Sequence, residues 1–234
     1  MDLHRVSIEL VVHPGERQNL MPQGKIKILR GVAAILGLVF LLLLAGIAES
    51  YYERFQAQKL ISVLSDIQVG ATTESHAREI TKRFSYFNHP DRYAISNTKV
   101  TSDYFTFENR AFRWLHLAPA KWTHISIEYA NGIVRSKNAL YYEMPGYSGY
   151  VNEEIPHTGT IMDAYRAAEN GRRLSVNHSE YIPPDLSDCS MLIIHEDTTV
   201  PLARRQLDWQ IDLSCMTSIG GCRDARKVMR GALR

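Results

Sequence analysis

Three regimes of hydrophobic patterning follow one another along this chain. Residues 31–48 carry no charged side chain and hold Leu41, Leu42, Leu43 and Leu44 in succession. Beyond them apolar positions recur at helical spacing. Ala57, Leu60, Ile61, Leu64 and Ile67 share one stripe, while Glu53, Arg54, Gln58 and Asp66 fall mostly away from it. Val69 and Gly70 end that helix, glycine being cheap where a helix stops. Thr72 is placed to cap a second helix, with Glu74 near its positive end. Ala77, Ile80, Phe84 and Phe87 make its apolar face, Lys82 and Arg83 lie in its last turns, and Pro90 forbids continuation.

After Asp91 the period changes to strict alternation. The clearest hairpin is residues 123–140, where Ile125, Ile127 and Tyr129 alternate with Ser126 and Glu128 as far as Asn131-Gly132, a type I′ turn signal. A two-residue loop sets Ala130 opposite Ile133. It then places Tyr129 opposite Val134 on the core face and Glu128 opposite Arg135 on the wet face. Residues 104–107 and 112–117 read as earlier strands. Between residues 145 and 184 the pattern is ambiguous, with a short helix over 162–168 and a strand over 173–176 as its best elements. Residues 191–194 form a continuous apolar run suited to a central strand. Leu207, Trp209, Ile211 and Leu213 alternate with Asp208, Gln210 and Asp212, which predicts a half-buried strand whose inner face Cys215 continues. Residues 224–230 suit a last short helix. Helices first and strands after them predict an α+β fold with a mainly antiparallel sheet.

The uncharged run decides the class. At about 1.5 Å per helical residue, 18 residues span roughly 27 Å, close to the hydrocarbon thickness of a bilayer. Lys25, Lys27 and Arg30 precede it, and Glu49, Tyr51 and Tyr52 follow. The cations hold the N-terminal side in the cytoplasm and the tyrosines suit the far headgroup layer. The expected organisation is a cytoplasmic lead (1–30), a transmembrane signal-anchor (31–48) and an extracytoplasmic domain (49–234) attached to the inner membrane. A signal peptide cleaved after Gly46-Ile47-Ala48, releasing a secreted or periplasmic domain, is the alternative, although the apolar part of such a peptide is usually only about 7–15 residues. Met21 opens a short basic lead of the ordinary kind, so translation is expected to begin there, or else residues 1–20 form a cytoplasmic tail.

Charge supports the division. Residues 1–30 carry five basic and three acidic side chains, and the chain beyond the apolar run holds 22 of each sign. A neutral domain has no basic stripe with which to grip nucleic acid or anionic lipid. No phosphate loop or dinucleotide fingerprint is present, so neither nucleotide nor another cofactor is expected. Hydrophobic residues make up 45% of the chain, enough for a packed core.

Ile67-Gln68-Val69-Gly70-Ala71-Thr72-Thr73, with Leu213-Ser214-Cys215 and Gly221-Cys222-Arg223-Asp224 near the other end, resembles a group of exported or membrane-anchored bacterial proteins best represented in acidobacteria. They share a basic lead, one apolar segment, a Gly-x-Ser/Thr helix start, a β-rich middle and a paired-cysteine end. The resemblance covers both ends of residues 21–234 and implies no activity. The Gly-Thr helix start also resembles small lipoproteins of outer-membrane barrel assembly, but this chain lacks their N-terminal lipidation cysteine.

Candidate chemistry is sparse. Cys215 and Cys222 bracket Ser218-Ile219-Gly220-Gly221, and export permits a disulfide between them; two buried thiols are the alternative. Cys189 is left as a small buried residue. His89-Pro90-Asp91 after a basic helix resembles the J-domain signature of co-chaperones, but a J-domain needs a long helix next and Val100-Thr101-Ser102-Asp103-Tyr104-Phe105 reads as β. The ordinary reading is a turn that stops the helix. The nine histidines show no i,i+4 helical pair and no neighbouring Cys-x-x-Cys, so no metal site is expected. His195-Glu196-Asp197-Thr198 lacks the second histidine of a zinc protease helix. Gly146-Tyr147-Ser148-Gly149 lacks the last glycine of a nucleophile elbow. Glu153 and Glu154 face opposite ways on a strand. Asn177-His178-Ser179 is a glycosylation sequon, without meaning in a bacterium.

The expected role is therefore a non-enzymatic binding or envelope-associated module with an envelope protein as partner. The competing class is a hydrolase assembled from His195, Asp197 and Ser148, which a shared pocket would favour; an apolar groove would favour the module. The topology is testable. Protease added outside spheroplasts is expected to digest the region after Glu49, and protection of that region until lysis would reverse the orientation.

Overall fold

A computed structural model describes residues 23–89, 100–144, 147–155, 172–178, 190–221 and 225–233, with side chains over a slightly narrower set. The predicted helix over residues 162–168 lies outside them, as do Pro90, Asp91, Cys189 and Cys222. The chain divides into two units, Met1–Leu42 and Leu43–Arg234. Helix α1 is assigned from Gln23 to Asp66. Its most apolar 18-residue window has a mean hydropathy of 2.7 and no buried residue, which marks it as a candidate membrane span or signal sequence. Ile35, Leu36, Phe40, Leu41 and Leu42 are all more than half exposed. Such a surface is stable in lipid and costly in water.

In the second unit α1 is followed by α2 (Glu74–Thr81) and a 3₁₀ segment (Lys82–Phe87), and then by strands β1 (Val100–Glu108), β2 (Ala120–Ala130), β3 (Ile133–Met144), β4 (Tyr147–Glu154), β5 (Arg172–His178) and β6 (Ser190–Asp197). Helices α3 (Arg110–Trp114), α4 (Leu202–Asp208) and α5 (Ala225–Val228) are short. The sheet runs in the order β1-β2-β3-β4-β6-β5. Only β4 and β6 pair in parallel; the other four pairs are antiparallel. The expected α+β architecture with a mostly antiparallel sheet is the observed one, and the run over residues 191–194 lies in an interior strand.

One face of the sheet meets the helices. Ala57, Leu60, Ile61 and Leu64 of α1, and Ile67 just beyond it, are each at most 1% exposed, as their spacing predicts. They pack with Ala77, Phe84 and Phe87 against Phe105, Phe107, Ile125, Ile127 and Tyr129 from β1 and β2, and Val151 and Ile194 from β4 and β6. Each buried Leu or Ile contributes about 1.5–3 kcal/mol, so this stripe alone holds α1 to the sheet. Trp209, Ile211, Met216, Val228 and Met229 complete the same core.

The Asn131-Gly132 turn has both residues at positive φ, 54° and 77°, as a type I′ turn requires. Ala130 faces Ile133 and Tyr129 faces Val134 as expected, but Glu128 then pairs with Ser136 rather than Arg135. Arg135 is the extra residue of a β-bulge. The slip of one residue sends Lys137, otherwise destined for the opposite face, into the core opposite Ile127.

Four further expectations are corrected. Residues 112–117 do not form a strand: α3 occupies Arg110–Trp114, inside a loop that Asn109 closes by accepting from Lys121 N (2.9 Å) and donating to Pro119 O (3.1 Å). Residues 207–213 do not form a strand either. Pro201 starts α4, Arg204 pairs with Asp208 one turn on at 3.1 Å, and the chain beyond it makes an isolated bridge from Ile211 to Met229, beside which Asp212 N donates to Val228 O at 2.6 Å. Trp209, Ile211 and Leu213 are buried as the alternation predicts, but Asp208 is wholly buried too. The N-cap of α2 is Thr73, whose oxygen accepts from His76 N, while Thr72 Oγ1 accepts from Gln68 N. Finally, Glu53 turns inward and accepts the backbone N–H of Glu108 at 2.7 Å, and Gln58 donates to Ile211 O at 2.6 Å.

Lys137 is a charge deep in this core. Its Nζ donates to Leu64 O at 2.7 Å and Ile67 O at 2.6 Å, and lies 3.0 Å from Glu153 Oε2. Lys137→Ala is expected to destabilise the domain by about 3–5 kcal/mol, because it leaves Glu153 Oε2 and the carbonyls of Leu64 and Ile67 without their partner in the core. Urea unfolding of the detergent-solubilised chain measures the loss; a change below about 1 kcal/mol would contradict this role.

Candidate functional site

The link from α1 to α2 is stitched to the tip of the β2–β3 hairpin. Gly70, at φ 81°, donates its N–H to Val134 O at 2.8 Å; Val134 N donates to Thr72 O at 2.9 Å, and Glu74 N to Gly132 O at 2.9 Å. Helix α2 is tied down by charge. Arg78 reaches Glu74 Oε1 at 3.0 Å and Asp103 Oδ1 at 3.1 Å, and Asp103 also accepts from Asn88 Nδ2 at 2.9 Å and from the Tyr129 hydroxyl at 2.7 Å. Between the end of α1 and α2 lies an open groove of about 430 Å³, lined by Val63, Asp66, Ile67, Thr72, His76, Ile80 and Arg83. Valine and the two isoleucines supply an apolar floor. Asp66 and Arg83 supply opposite charges, and His76 is exposed.

Lys137 fixes one wall of this groove from within, since it holds the carbonyl of Ile67, a lining residue. Glu153, which it faces, also takes Arg205 Nη1 through its other oxygen, and Arg205 Nε donates to Val200 O at 2.9 Å. The ammonium lies 4.7 Å from the centre of the Trp209 ring. Burial pulls the Lys137 pKa below its ordinary value, and the carboxylate of Glu153 opposes that fall. A buried lysine of lowered pKa is a candidate catalyst in a cleft. Here the side chain is 2% exposed and two carbonyls and a carboxylate take its three donor positions, so it acts as a fastener. Lys121 repeats the device. Its Nζ donates to Cys215 O at 2.5 Å and Ser218 O at 3.3 Å, and burial lowers its pKa against the pull of Glu143. Tyr141 donates to Glu143 at 2.9 Å, and burial followed by that carboxylate pushes the phenol far upward.

Ser148 does not meet the other residues proposed for a hydrolase. Ser148 on β4 pairs with Met191, whereas His195 on β6 pairs with Asn152 four residues further along, a separation of roughly 13 Å. His195 contacts the Tyr150 ring edge-on at 5.5 Å. Asp197 is engaged by Thr199, accepting its N–H at 2.8 Å, in the turn that leads to α4. Glu153 and Glu154 face opposite ways, the first 1% exposed and the second half-buried. His89 donates its N–H to Tyr104 O at 2.7 Å, and the next described element is strand β1 from Val100. Among the described residues no three or more His, Cys, Asp or Glu side chains are grouped to hold a metal. Cys215 lies in a 3₁₀ turn (Ser214–Thr217) rather than on a strand, with its sulfur 3.8 Å from the Tyr141 hydroxyl.

Sequence reasoning passed over the groove. Its signal was present, because Thr72, His76, Ile80 and Arg83 recur at i, i+4, i+8 and i+11 beside the buried stripe. What the pattern lacked was the second wall, Val63 and Asp66, brought there by the turn at Gly70.

The tie beneath α2 is sensitive to alkali. Burial, with the adjacent Asp103 carboxylate adding to it, raises the Tyr129 pKa well above its ordinary value of 10.0. The folded state therefore keeps a proton that the unfolded chain gives up. The stabilisation is complete below about pH 10 and is lost as the pH rises beyond it. Urea midpoints are expected to fall between about pH 9 and 11 in the parent chain and to fall less steeply in Tyr129→Phe, which is weaker at neutral pH by about 1.5–3 kcal/mol. Parallel pH profiles would disprove the assignment.

No protein-family model, curated protein or solved structure matches this chain.

Proposed function

We propose that the chain is a single-pass, membrane-anchored binding module with its domain outside the cytoplasm, and that the groove between α1 and α2 receives an apolar-faced polypeptide segment of an envelope protein. The groove itself carries this reading: an apolar floor takes side chains, and the opposite charges of Asp66 and Arg83 set the direction of a bound chain. The candidate span over α1, preceded by Lys25, Lys27 and Arg30, supports the anchor and its orientation. A bridge from Cys215 to Cys222 belongs to the same reading, since it would form outside the cytoplasm. The separation of Ser148 from His195 weighs against a hydrolase built from that set.

A photo-crosslinking residue at His76, in cells producing the full chain, is expected to trap a discrete protein adduct. The same residue at Gln206, exposed on α4, is expected to trap none. Adding Ile80→Asp to the His76 probe should reduce the adduct at least about tenfold, because it places a charge on the apolar floor. Equal adducts at both positions, or one indifferent to Ile80→Asp, would refute the groove as the site.

A further inference from the structure

At the other end of the α1 segment in this unit, the domain carries a surface that the groove does not explain. Gly46 is still within the uncharged run, yet a Cβ built on it lies 3.2 Å from the Cβ of Ala111 in α3. One turn on, the Tyr51 ring meets Phe112 edge-on at 5.9 Å. On another side of the helix, Tyr52 lies 6.3 Å from Phe87. The domain therefore packs around α1 at the level where the apolar run ends.

That end is also where large apolar side chains point outward. Trp114, the last residue of α3, is 75% exposed. Ile219 is 79% exposed, next to Gly220, whose N–H donates to Leu117 O in the α3 loop at 3.4 Å. Tyr86 is 82% exposed and stacks edge-on with Phe87 at 5.1 Å. In water these are a cost; at a headgroup layer tryptophan and tyrosine are favoured, since the ring is apolar and its N–H or O–H finds a polar partner. Two cations accompany Trp114. Arg110 and Arg113 both pair with the single carboxylate of Glu108, at 3.1 and 2.8 Å, and their side chains remain 69% and 50% exposed. Glu53 and Glu49 also act on Arg110, so the cluster carries no positive excess, and the surface is marked by its exposed aromatic and apolar side chains.

We propose that this end of the domain rests on the bilayer, with Trp114 inserted at the headgroup level beside the emerging helix. The proposal rests on the anchor reading of α1 and adds to it a second, peripheral lipid contact. That contact would hold the domain against the membrane rather than free on a stalk, and would fix the height at which the groove is presented.

Fluorescence of the full chain reconstituted into vesicles tests it. The vesicles contain phosphatidylcholine and phosphatidylglycerol with bromine at either a shallow or a deep acyl position. Flotation with the vesicles reports the anchor independently. Trp114 is one of three tryptophans, Trp209 being 2% exposed and Trp122 half-buried, so shallow bromine is expected to quench up to about one third of the emission. Deep bromine should quench less, and Trp114→Phe, a conservative change at an exposed position, should remove most of the shallow quenching. Flotation without shallow quenching, or quenching that persists in Trp114→Phe, would overturn the lipid contact while leaving the anchor intact. Failure to float would overturn both.

Discussion

One extra residue in a hairpin governs the interior of this domain. The type I′ turn at Asn131-Gly132 starts the pairing in the register that alternation demands, and the bulge at Arg135 then shifts β3 by one. A shift of one exchanges the two faces of a strand. Without it Lys137 would face away from the helices. With it Lys137, Ala139, Tyr141 and Glu143 all point to the core side, each at most 4% exposed. The helix on that side ends where the Lys137 ammonium can collect its carbonyls.

The consequence is a core fastened by charge as well as by apolar contact. A helix C-terminus leaves carbonyls without partners, and these are usually served by a glycine motif, water or a basic side chain nearby in sequence. Here a lysine about seventy residues downstream does it, held in turn by Glu153 and Arg205. Lys121 serves the 3₁₀ turn at Cys215 in the same way. Buried ion pairs add little net stability compared with a hydrophobic core of the same shape, because desolvation offsets most of the attraction. They do penalise wrong arrangements, since a misplaced helix end would leave both ammonium and carboxylate unpaired.

Within the second unit the two surfaces of interest lie at opposite ends of the helix that organises it. The groove is formed around Val63 to Ile67, and the aromatic end lies around Gly46 to Tyr52. Their centres are some sixteen residues apart, roughly 24 Å along a helix. The ties that hold the groove, from Gly70 to Val134 and from Arg78 to Asp103, run to the hairpin tip and to β1. The groove's walls are therefore set by the sheet and not by the helices alone.

The helices-first, sheet-after plan, the uncharged run, the buried stripe of α1 and the Asn131-Gly132 hairpin were legible in the sequence, because each depends on local periodicity or on a turn that only certain residues adopt. The same alternation misled at residues 207–213, where Trp209, Ile211 and Leu213 are buried by irregular chain laid over the core. Burial sets an apolar pattern, and a sheet is only one way to satisfy it. At residues 112–117 the apolar content belongs to a short helix whose Phe112 seats on Tyr51, a contact between segments sixty residues apart. The groove was half visible, as a stripe on α2 without its opposing wall. The bulge, the inward turn of Lys137 and the separation of Ser148 from His195 were decided by the tertiary structure alone. Each depends on which residues of different strands stand opposite one another, and register is a property of the paired sheet that no single strand's sequence contains.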